Sequence, residues 1–400
     1  MARASFKDKV LHAVKVPLSP NNKQITYFKK CCGLNRLAWN WALAEWERQY
    51  AAGEKPNAMA LKKQFNAIKY QEWPFVAEVS QYPIAQAFAD LQAAFDRWFR
   101  SVKAKDGLFG RPKFKNRRGR KSFYLANTAF RLDGNTIKIQ KLDTPVRLIH
   151  PIKQWGRPLS ARVSESGGRW WFAVQFEVHP GFFQKAQPSR DLVGVDLGSR
   201  SLAVLDTGEE IPAPKSYNRN LERIVQLQQR LTQLTQGSNR HQKLKDRLTR
   251  LHGVIASTRR NAQHRLTKRL ATENRVVAVQ RFPVKQMTRS GRGTVEEPGK
   301  NVKVRALFNR HLLDAAMGET YRQIEYKTKR YGTVYWPMSI ELKASQTCHR
   351  CDWVNEAVDA DTDRYQCPNC LTQLERKYNH AKNIARWAKD ELENPMGTVG

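Results

Sequence analysis

Two Cys-x-x-Cys pairs, Cys348/Cys351 and Cys367/Cys370, stand fifteen residues apart toward the end of the chain, and no other feature narrows its folding options so far. Two such knuckles present four thiolates tetrahedrally to one ion, and the spacing reads as a Zn2+ site. The segment between them carries Asp359, Asp361, Asp363 and Arg364 and few apolar residues, so it has little core of its own and metal binding supplies its folding energy. A four-cysteine set has no open coordination position, which makes the ion structural and not catalytic. Cys31 and Cys32 are adjacent in a helical stretch and read as packing residues, so the pattern suits a reducing cytosol.

Charge is the second constraint. The chain has 70 Lys+Arg against 36 Asp+Glu, a formal net charge of +34, far beyond what solubility requires; a polyanion is the expected partner. No apolar run of about 18 residues and no signal-peptide pattern is present, so a membrane is not expected. With 40% hydrophobic residues over 400 positions, two or three folded domains are affordable.

Residues 8–20 alternate as a strand does, and from about Asn22 to Val102 the apolar spacing is helical, giving three or four helices. Residues 103–121 hold nine Lys/Arg and one acid, interleaved with Phe109 and Phe114 and punctuated by Gly107, Gly110, Pro112 and Gly119. Such a loop should touch phosphate through Arg111, Lys113, Lys115, Arg117, Arg118 and Arg120. Short β-like runs follow at 136–139, 146–150, 161–164 and 170–178, with Gly167-Gly168 as a hairpin turn. Together with the first strand they predict a small barrel interrupted by a helical insertion.

A new domain opens near Leu192, with strands over 193–197 and 201–205, helices over 217–236 and 240–271, a β run at 275–279, one helix over 306–330, a strand at 334–338 and a last helix over 379–393. Residues 240–270 carry ten Lys/Arg and one acid. A ten-to-one face repels itself without a polyanion, so Arg247, Arg250, Arg259, Arg260, Arg265 and Arg269 are assigned to nucleic-acid contact.

The strand Val193 to Leu197 contains one acid, Asp196, before Gly198 and a second strand. That arrangement opens a ribonuclease-H-like fold and offers a carboxylate to a metal; the plainer reading is an Asp that caps a turn. Five segments decide the context: Asn40-Trp41-Ala42-Leu43-Ala44-Glu45, Gly110-Arg111-Pro112-Lys113-Phe114-Lys115, Gly194-Val195-Asp196-Leu197-Gly198, Ser345-Gln346-Thr347-Cys348, and Asn379-His380-Ala381-Lys382-Asn383-Ile384. In order and spacing they resemble the TnpB family of transposon-encoded RNA-guided RuvC-like proteins, relatives of the type V CRISPR effectors.

The resemblance implies an α/β multidomain fold: a wedge-like β-barrel (1–21 and 104–188), an inserted helical recognition domain (22–103), an RNase H-like RuvC domain (189–340 and 372–400) and an inserted zinc ribbon (341–371). It implies three carboxylates holding two Mg2+ ions. Asp196 matches the first. Gln280 and Lys377 stand where the second and third are expected, so Mg2+ is expected to bind weakly or not at all, and Lys377 is expected to pair with Asp196.

The resemblance therefore leads to a nuclease-dead, RNA-guided DNA-binding protein, not an enzyme, that represses transcription by occluding promoters. Its implied partners are a guide RNA and double-stranded DNA next to a short adjacent motif, in a monomeric ribonucleoprotein of the cytoplasm and nucleoid. Tyr50, Lys63, Gln86, Phe123 and Thr128 are assigned to that motif. Two other readings remain open: an active RNA-guided endonuclease with rearranged acids such as Glu375, and a guide-independent DNA-binding accessory protein of transposition.

Overall fold

The computed structural model describes residues 10–153, 156–183, 188–294, 296–359 and 362–394. Residues 1–9 and 395–400, assigned above to the barrel and to the last domain, and Asp361 lie outside the described residues. The chain forms two units, Met1–Phe182 and Phe183–Gly400.

In the first unit, β1 (Val10–Ser19) leads into α1 (Asn22–Ala51), α2 (Ala58–Glu72) and α3 (Tyr82–Ala104). Asn21 starts α1 with a capping box: its side chain accepts from Gln24 N at 2.9 Å, and Gln24 Oε1 accepts from Asn21 N at 3.0 Å. The Gln24 amide also donates to Thr144 Oγ1 and the Pro145 carbonyl, both at 3.0 Å, so one residue both starts the helix and ties it to the sheet. Aromatic packing joins the helices, with Trp46 stacked on Phe95 at 4.1 Å and Trp41 set edge-on to Phe65 at 5.1 Å.

The strands β2 (Ser122–Ala126), β3 (Phe130–Asp133), β4 (Thr136–Ile139), β5 (Val146–Leu148), β6 (Arg157–Ser166) and β7 (Arg169–Val178) join β1 in one sheet, ordered β2-β6-β7-β1-β5-β4-β3. Its two edge strands, β2 and β3, are separated by only the turn Asn127–Ala129, which curls the sheet into a nearly closed barrel. Gly167 and Gly168, at φ +60° and +68°, make the β6–β7 turn in a conformation that only glycine enters freely. Phe28 of α1 seals the barrel, lying 5.8 Å from Phe123 and 5.1 Å from Trp170.

The second unit is built on a five-stranded sheet. β8 (Arg190–Leu197), β9 (Ser201–Leu205) and β10 (Glu210–Pro212) run antiparallel, α4 (Leu221–Thr232) and α5 (Asn239–Glu273) follow, and β11 (Asn274–Gln280) returns parallel to β8. After α6 (Val284–Met287), α7 (Val302–Ala315) and α8 (Met317–Tyr331), β12 (Val334–Met338) adds parallel to β11, giving the order β10-β9-β8-β11-β12. A separate hairpin, β13 (Arg364–Gln366) and β14 (Gln373–Glu375), precedes α9 (Arg376–Glu393).

The helix expected over 306–330 is two helices. Ala316 sits at φ +49°, and the break has a cause: Gln263 Nε2 donates to the Ala315 and Ala316 carbonyls at 3.3 and 3.0 Å, while the Asp314 carboxylate accepts from Tyr217 N at 3.1 Å. The Gln263 amide thus ties the two carbonyls at the break to α5, and α8 starts afresh there, with Glu319 N and Thr320 N donating to the Ala316 carbonyl at 3.0 and 3.2 Å.

β8 and β11 read as continuous apolar runs because both are buried in the sheet interior. Gly194 of β8 is where α9 comes down. A Cβ there would lie 2.2 Å from the Ala381 carbonyl oxygen and 2.7 Å from Ala385 N, both backbone atoms that cannot swing aside. Gly194→Ala is therefore expected to destabilise the chain by about 1–3 kcal/mol or more through forced separation of helix and strand. Gly33→Ala in α1, where a Cβ meets nothing within 4 Å, should stabilise by about 0.5–1 kcal/mol. Denaturant midpoints of the two variants against the parent test the pair, and equal midpoints would refute the close approach.

Candidate active site and metal centre

The C-terminal end of β8, the segment after β11 and the start of α9 border a cavity of about 400 Å³ whose wall includes Asp196, Ser199, Arg200, Phe282, Asp359, Lys377 and His380. Asp196 meets this cavity because side chains alternate between the two faces of β8: Val193, Val195 and Leu197 enter one core, and Gly194 and Asp196 lie on the face that α9 covers. Lys377 and His380 reach it because they lie three residues apart on one face of α9.

Asp196 is 7% exposed, and its partner is His380: Oδ1 lies 3.0 Å from His380 Nδ1. The other ring nitrogen, Nε2, is 2.7 Å from Gln280 Oε1. Gln280 Nε2 is already committed to the Ser339 and Leu342 carbonyls at 2.8 and 2.9 Å, so the amide oxygen faces His380 and accepts a hydrogen bond from Nε2–H. Asp196, His380 and Gln280 thus form a chain of buried hydrogen bonds. The Gln280 carbonyl accepts in turn from the Tyr321 hydroxyl at 3.0 Å, and burial pushes that phenol upward.

The expected Lys377–Asp196 pair is corrected. Lys377 Nζ donates to Ser201 Oγ at 2.7 Å, and no ion pair within 4 Å joins it to Asp196 among the described residues. His380 occupies the near side of the carboxylate and Ser201, on the neighbouring strand, offers the ammonium a closer oxygen. Burial lowers the Lys377 ammonium, and the nearby Asp196 charge partly opposes that. Glu375, considered above as a relocated ligand, is exposed at the end of β14; the second acid on the cavity wall is Asp359 instead.

This donor set does not fit a pair of hard cations. Such ions take several anionic oxygens, and here Asp196 is held by His380, position 280 presents an amide already used by two carbonyls, and position 377 presents an ammonium.

The four cysteines do converge. Their sulfurs all lie within 4.8 Å of one another, with Cys348–Cys370 at 3.6 Å and Cys351–Cys367 at 3.5 Å. A tetrahedral site with Zn–S bonds of about 2.3 Å needs sulfurs about 3.8 Å apart, so the cluster fits a thiolate-bound metal such as zinc. Burial pushes the Cys348 thiol up to about 12, while the Thr372 hydroxyl and backbone lower Cys370 to about 6. α9 holds the module in place: Asn379 and Asn383 donate to the Thr347 carbonyl at 2.7 and 2.6 Å, and Asn383 also donates to the Ala344 carbonyl at 2.8 Å.

The basic residues divide. Arg111, Lys113, Arg117, Arg118 and Arg120 are exposed in the loop after α3, and Lys115 is half-buried with its ammonium 3.7 Å from the Trp39 ring centre; burial lowers it to about 8. On α5, Arg247, Arg250, Arg260 and Arg265 are exposed. Arg269 is bound bidentately by Glu209 at 2.8 and 2.9 Å, and Arg259 donates to the Leu313 carbonyl at 3.2 Å beside Asp314. Tyr50, Lys63 and Thr128 are exposed, and Gln86 is half-buried against Asp90. Phe123 is corrected: it is fully buried in the barrel, because β2 turns Phe123 and Leu125 inward and Tyr124 outward.

His380 and Asp359 were missed as site residues. His380 stands within a quoted motif and three residues beyond Lys377, a helical spacing that places both on one face; Asp359 carries no comparable signal.

Family models match three segments of the chain. One described as "Probable transposase" (OrfB_IS605) matches residues 172–291, its companion "Helix-turn-helix domain" matches 10–55, and "Cas12f1-like, TNB domain" matches 318–384. In this structure residues 10–55 are β1 and the single long helix α1. A relative from Escherichia coli K12 named "Putative RNA-guided DNA endonuclease InsQ" is 28% identical over 94% of this chain and 92% of its own length. A Streptomyces pristinaespiralis relative named "Putative RNA-guided DNA endonuclease" is 26% identical over 94% of this chain and 89% of its own. Among solved structures, one titled "Cryo-EM structure of the Cas12f1-sgRNA-target DNA complex" shares the fold, with a TM-score of 0.50 at 12% identity, covering 94% of this chain and 99% of that one. The names of the relatives overturn the expectation that the chain is not an enzyme: they point to an endonuclease.

Two outcomes follow from the geometry. Gln280→Glu would set a carboxylate oxygen against two carbonyls that now receive N–H donors, costing about 1–3 kcal/mol; the loss should shrink as pH falls and the new carboxyl gains a proton. Unfolding midpoints from pH 8 down to pH 5 check both the size and the direction. Cys348→Ser should release bound metal and melt the cysteine module, whose small core is Cys348, Val358, Tyr365 and Cys367; metal content by mass spectrometry and proteolysis of 345–372 check it, and a variant that keeps both its metal and its protection would refute the assignment.

Proposed function

The chain belongs to the TnpB family, and on that premise we propose that it acts on double-stranded DNA under the direction of a guide RNA, and that its occupancy of promoter DNA represses transcription. Carrying this reading is the one-sided charge, +34 overall, with the loop at 111–120 and the outer face of α5 presenting exposed arginines and lysines. Such faces neutralise phosphates and position a strand without reading its sequence; sequence is read by pairing between guide and target. The proposed organisation is the one the resemblance implies: a wedge-like barrel and helical recognition domain in the first unit, and a RuvC-like domain with its zinc ribbon in the second. The ion in the cysteine cluster is Zn2+ on this reading. No helix among the described residues is long and apolar enough to cross a membrane.

Guide-directed cleavage of the bound DNA is the second reading. The activity named for the relatives favours it, and so does the presence of two carboxylates, Asp196 and Asp359, on the wall of one cavity.

One experiment addresses both. The ribonucleoprotein is purified with its RNA, the RNA is sequenced, and DNA matching its variable 3′ segment is offered with and without Mg2+. Protection of the matched duplex from nuclease digestion, absent on a scrambled duplex, is expected. Strand breaks at a fixed distance from the match support cleavage, which Asp196→Ala should then abolish. Equal protection of matched and scrambled duplexes would sink the guided reading and leave charge alone.

A further inference from the structure

The segment between α3 and the barrel is fastened at both ends. At its start, the Ser101 hydroxyl bonds the Asp106 carboxylate, which also accepts from Leu108 N at 2.8 Å, while Phe109 N donates to Ser101 Oγ at 3.1 Å. At its end, Trp39 Nε1 donates to the Lys113 carbonyl at 3.1 Å, and the Asn40 side chain brackets Lys115, donating to its carbonyl at 2.9 Å and accepting from its N–H at 2.8 Å. Two of the sequence motifs, the one opening at Asn40 and the one opening at Gly110, are thereby bonded to each other.

Between these anchors the chain turns its large apolar side chains outward. Leu108 is 60% exposed, Phe114 54% and Phe109 49%, and on the adjoining last turns of α3 Val102 and Phe99 are 56% and 43% exposed. Phe99 packs against Trp98 at 4.9 Å, and the guanidinium groups of Arg111 and Arg97 sit 5.9 Å from the ring centres of Trp98 and Phe109, so that a cation stands beside each of those two rings. Flexible loops bury such rings when they can; here the backbone is held in a shape that does not.

We propose that this corner is a stacking platform for unpaired nucleobases, with Phe109 and Phe114 as the rings on which bases lie and Arg97, Arg111 and Lys113 as the rim that takes the phosphates. Base faces and ring faces match without regard to sequence, and each stacked base contributes enough for a several-fold change in affinity. A duplex hides its base faces, so the ligand is single-stranded. The surroundings favour nucleic acid over a protein partner: Asp106 is tied to Ser101 and Leu108, Asp96 accepts from Gln92 at 2.9 Å, and Glu47 of α1 pairs with Arg111 at 3.2 Å, which leaves basic side chains in excess around an apolar centre. This inference rests on the proposed function for its ligand class, and adds to it the form of nucleic acid and the place.

The full chain is mixed with single-stranded oligonucleotides carrying 5-iodouridine, as RNA and as DNA, and with the same sequence annealed to its complement; light-induced crosslinks are mapped by mass spectrometry. Crosslinks at Phe109 or Phe114 from single strands only are expected. Phe109→Leu and Phe114→Leu should each weaken single-strand binding by about 5- to 150-fold, with the duplex affinity and the salt dependence unchanged, since no charge is removed. Phe109→Tyr should keep parental binding. Preference for the RNA oligonucleotide identifies a guide segment as the occupant, and preference for DNA identifies a displaced target strand. Leu variants that bind like the parent, or that lose duplex and single-strand binding alike, overturn the platform, as do crosslinks that all fall outside 97–115. A ribonucleoprotein that protects its matched duplex yet gives no such crosslink overturns the platform alone and leaves the proposed function standing.

Discussion

The second unit depends on one close approach, the seating of α9 on β8 at Gly194. Because no Cβ separates them, the helix backbone meets the strand directly, and everything α9 carries is placed by that contact. Lys377 and His380 on one face reach the cavity beside Asp196, while Asn379 and Asn383, both fully buried, hold the Thr347 and Ala344 carbonyls next to the first cysteine pair. A single helix therefore fixes the relative position of two sites that the sequence keeps far apart. Loss of the contact would move both, which is why a glycine in a strand, normally a weak choice, is the right residue here.

The floor of the site is matched to an amide at position 280. The Gln280 amide donates to two carbonyls and its oxygen accepts from His380, so all three of its neighbours are complementary to the residue present. Asp196 and Asp359 are set against Arg200, Arg376 and Lys377 on the wall of the same cavity. The ammonium of Lys377 at this wall favours an anion over a divalent cation.

Much of this was legible in the sequence because the signals were periodic. The strands at 136–139, 201–205 and 334–338 are found where alternation and apolar runs place them, and the cysteine pairs converge as their spacing requires. What escaped had no local signal. β2 runs straight on from a basic loop, and without a sheet partner nothing in its sequence fixed which face points inward; Phe123 was assigned to the wrong side for that reason. The break at Ala316 depends on Gln263 and Tyr217, more than fifty residues earlier. His380 was visible as a helical neighbour of Lys377, but its role needed the distance to Asp196, which only the packing of α9 supplies.

The long helix α5 poses a different problem, since a strongly basic rod must be held at a fixed angle if its outer arginines are to meet a strand. All of its buried residues lie from Ile255 onward, so the first half is supported mainly by α4 and the second half does the anchoring. That anchor is polar as well as apolar. Gln263 Nε2 donates to Thr320 Oγ1 at 3.0 Å, Thr267 Oγ1 to Gln323 Oε1 at 3.1 Å, and Lys327 Nζ to the His264 carbonyl and Thr267 Oγ1, each at 2.7 Å. Burial lowers Lys327 to about 8, the cost of placing an ammonium between two helices. An apolar interface would tolerate a slide of one turn between α5 and α8, whereas this one would leave several donors unsatisfied at any other register. The polar ladder therefore trades some stability for a single position of the helix, and with it a single position for the exposed Arg247, Arg250 and Arg265 on the opposite face.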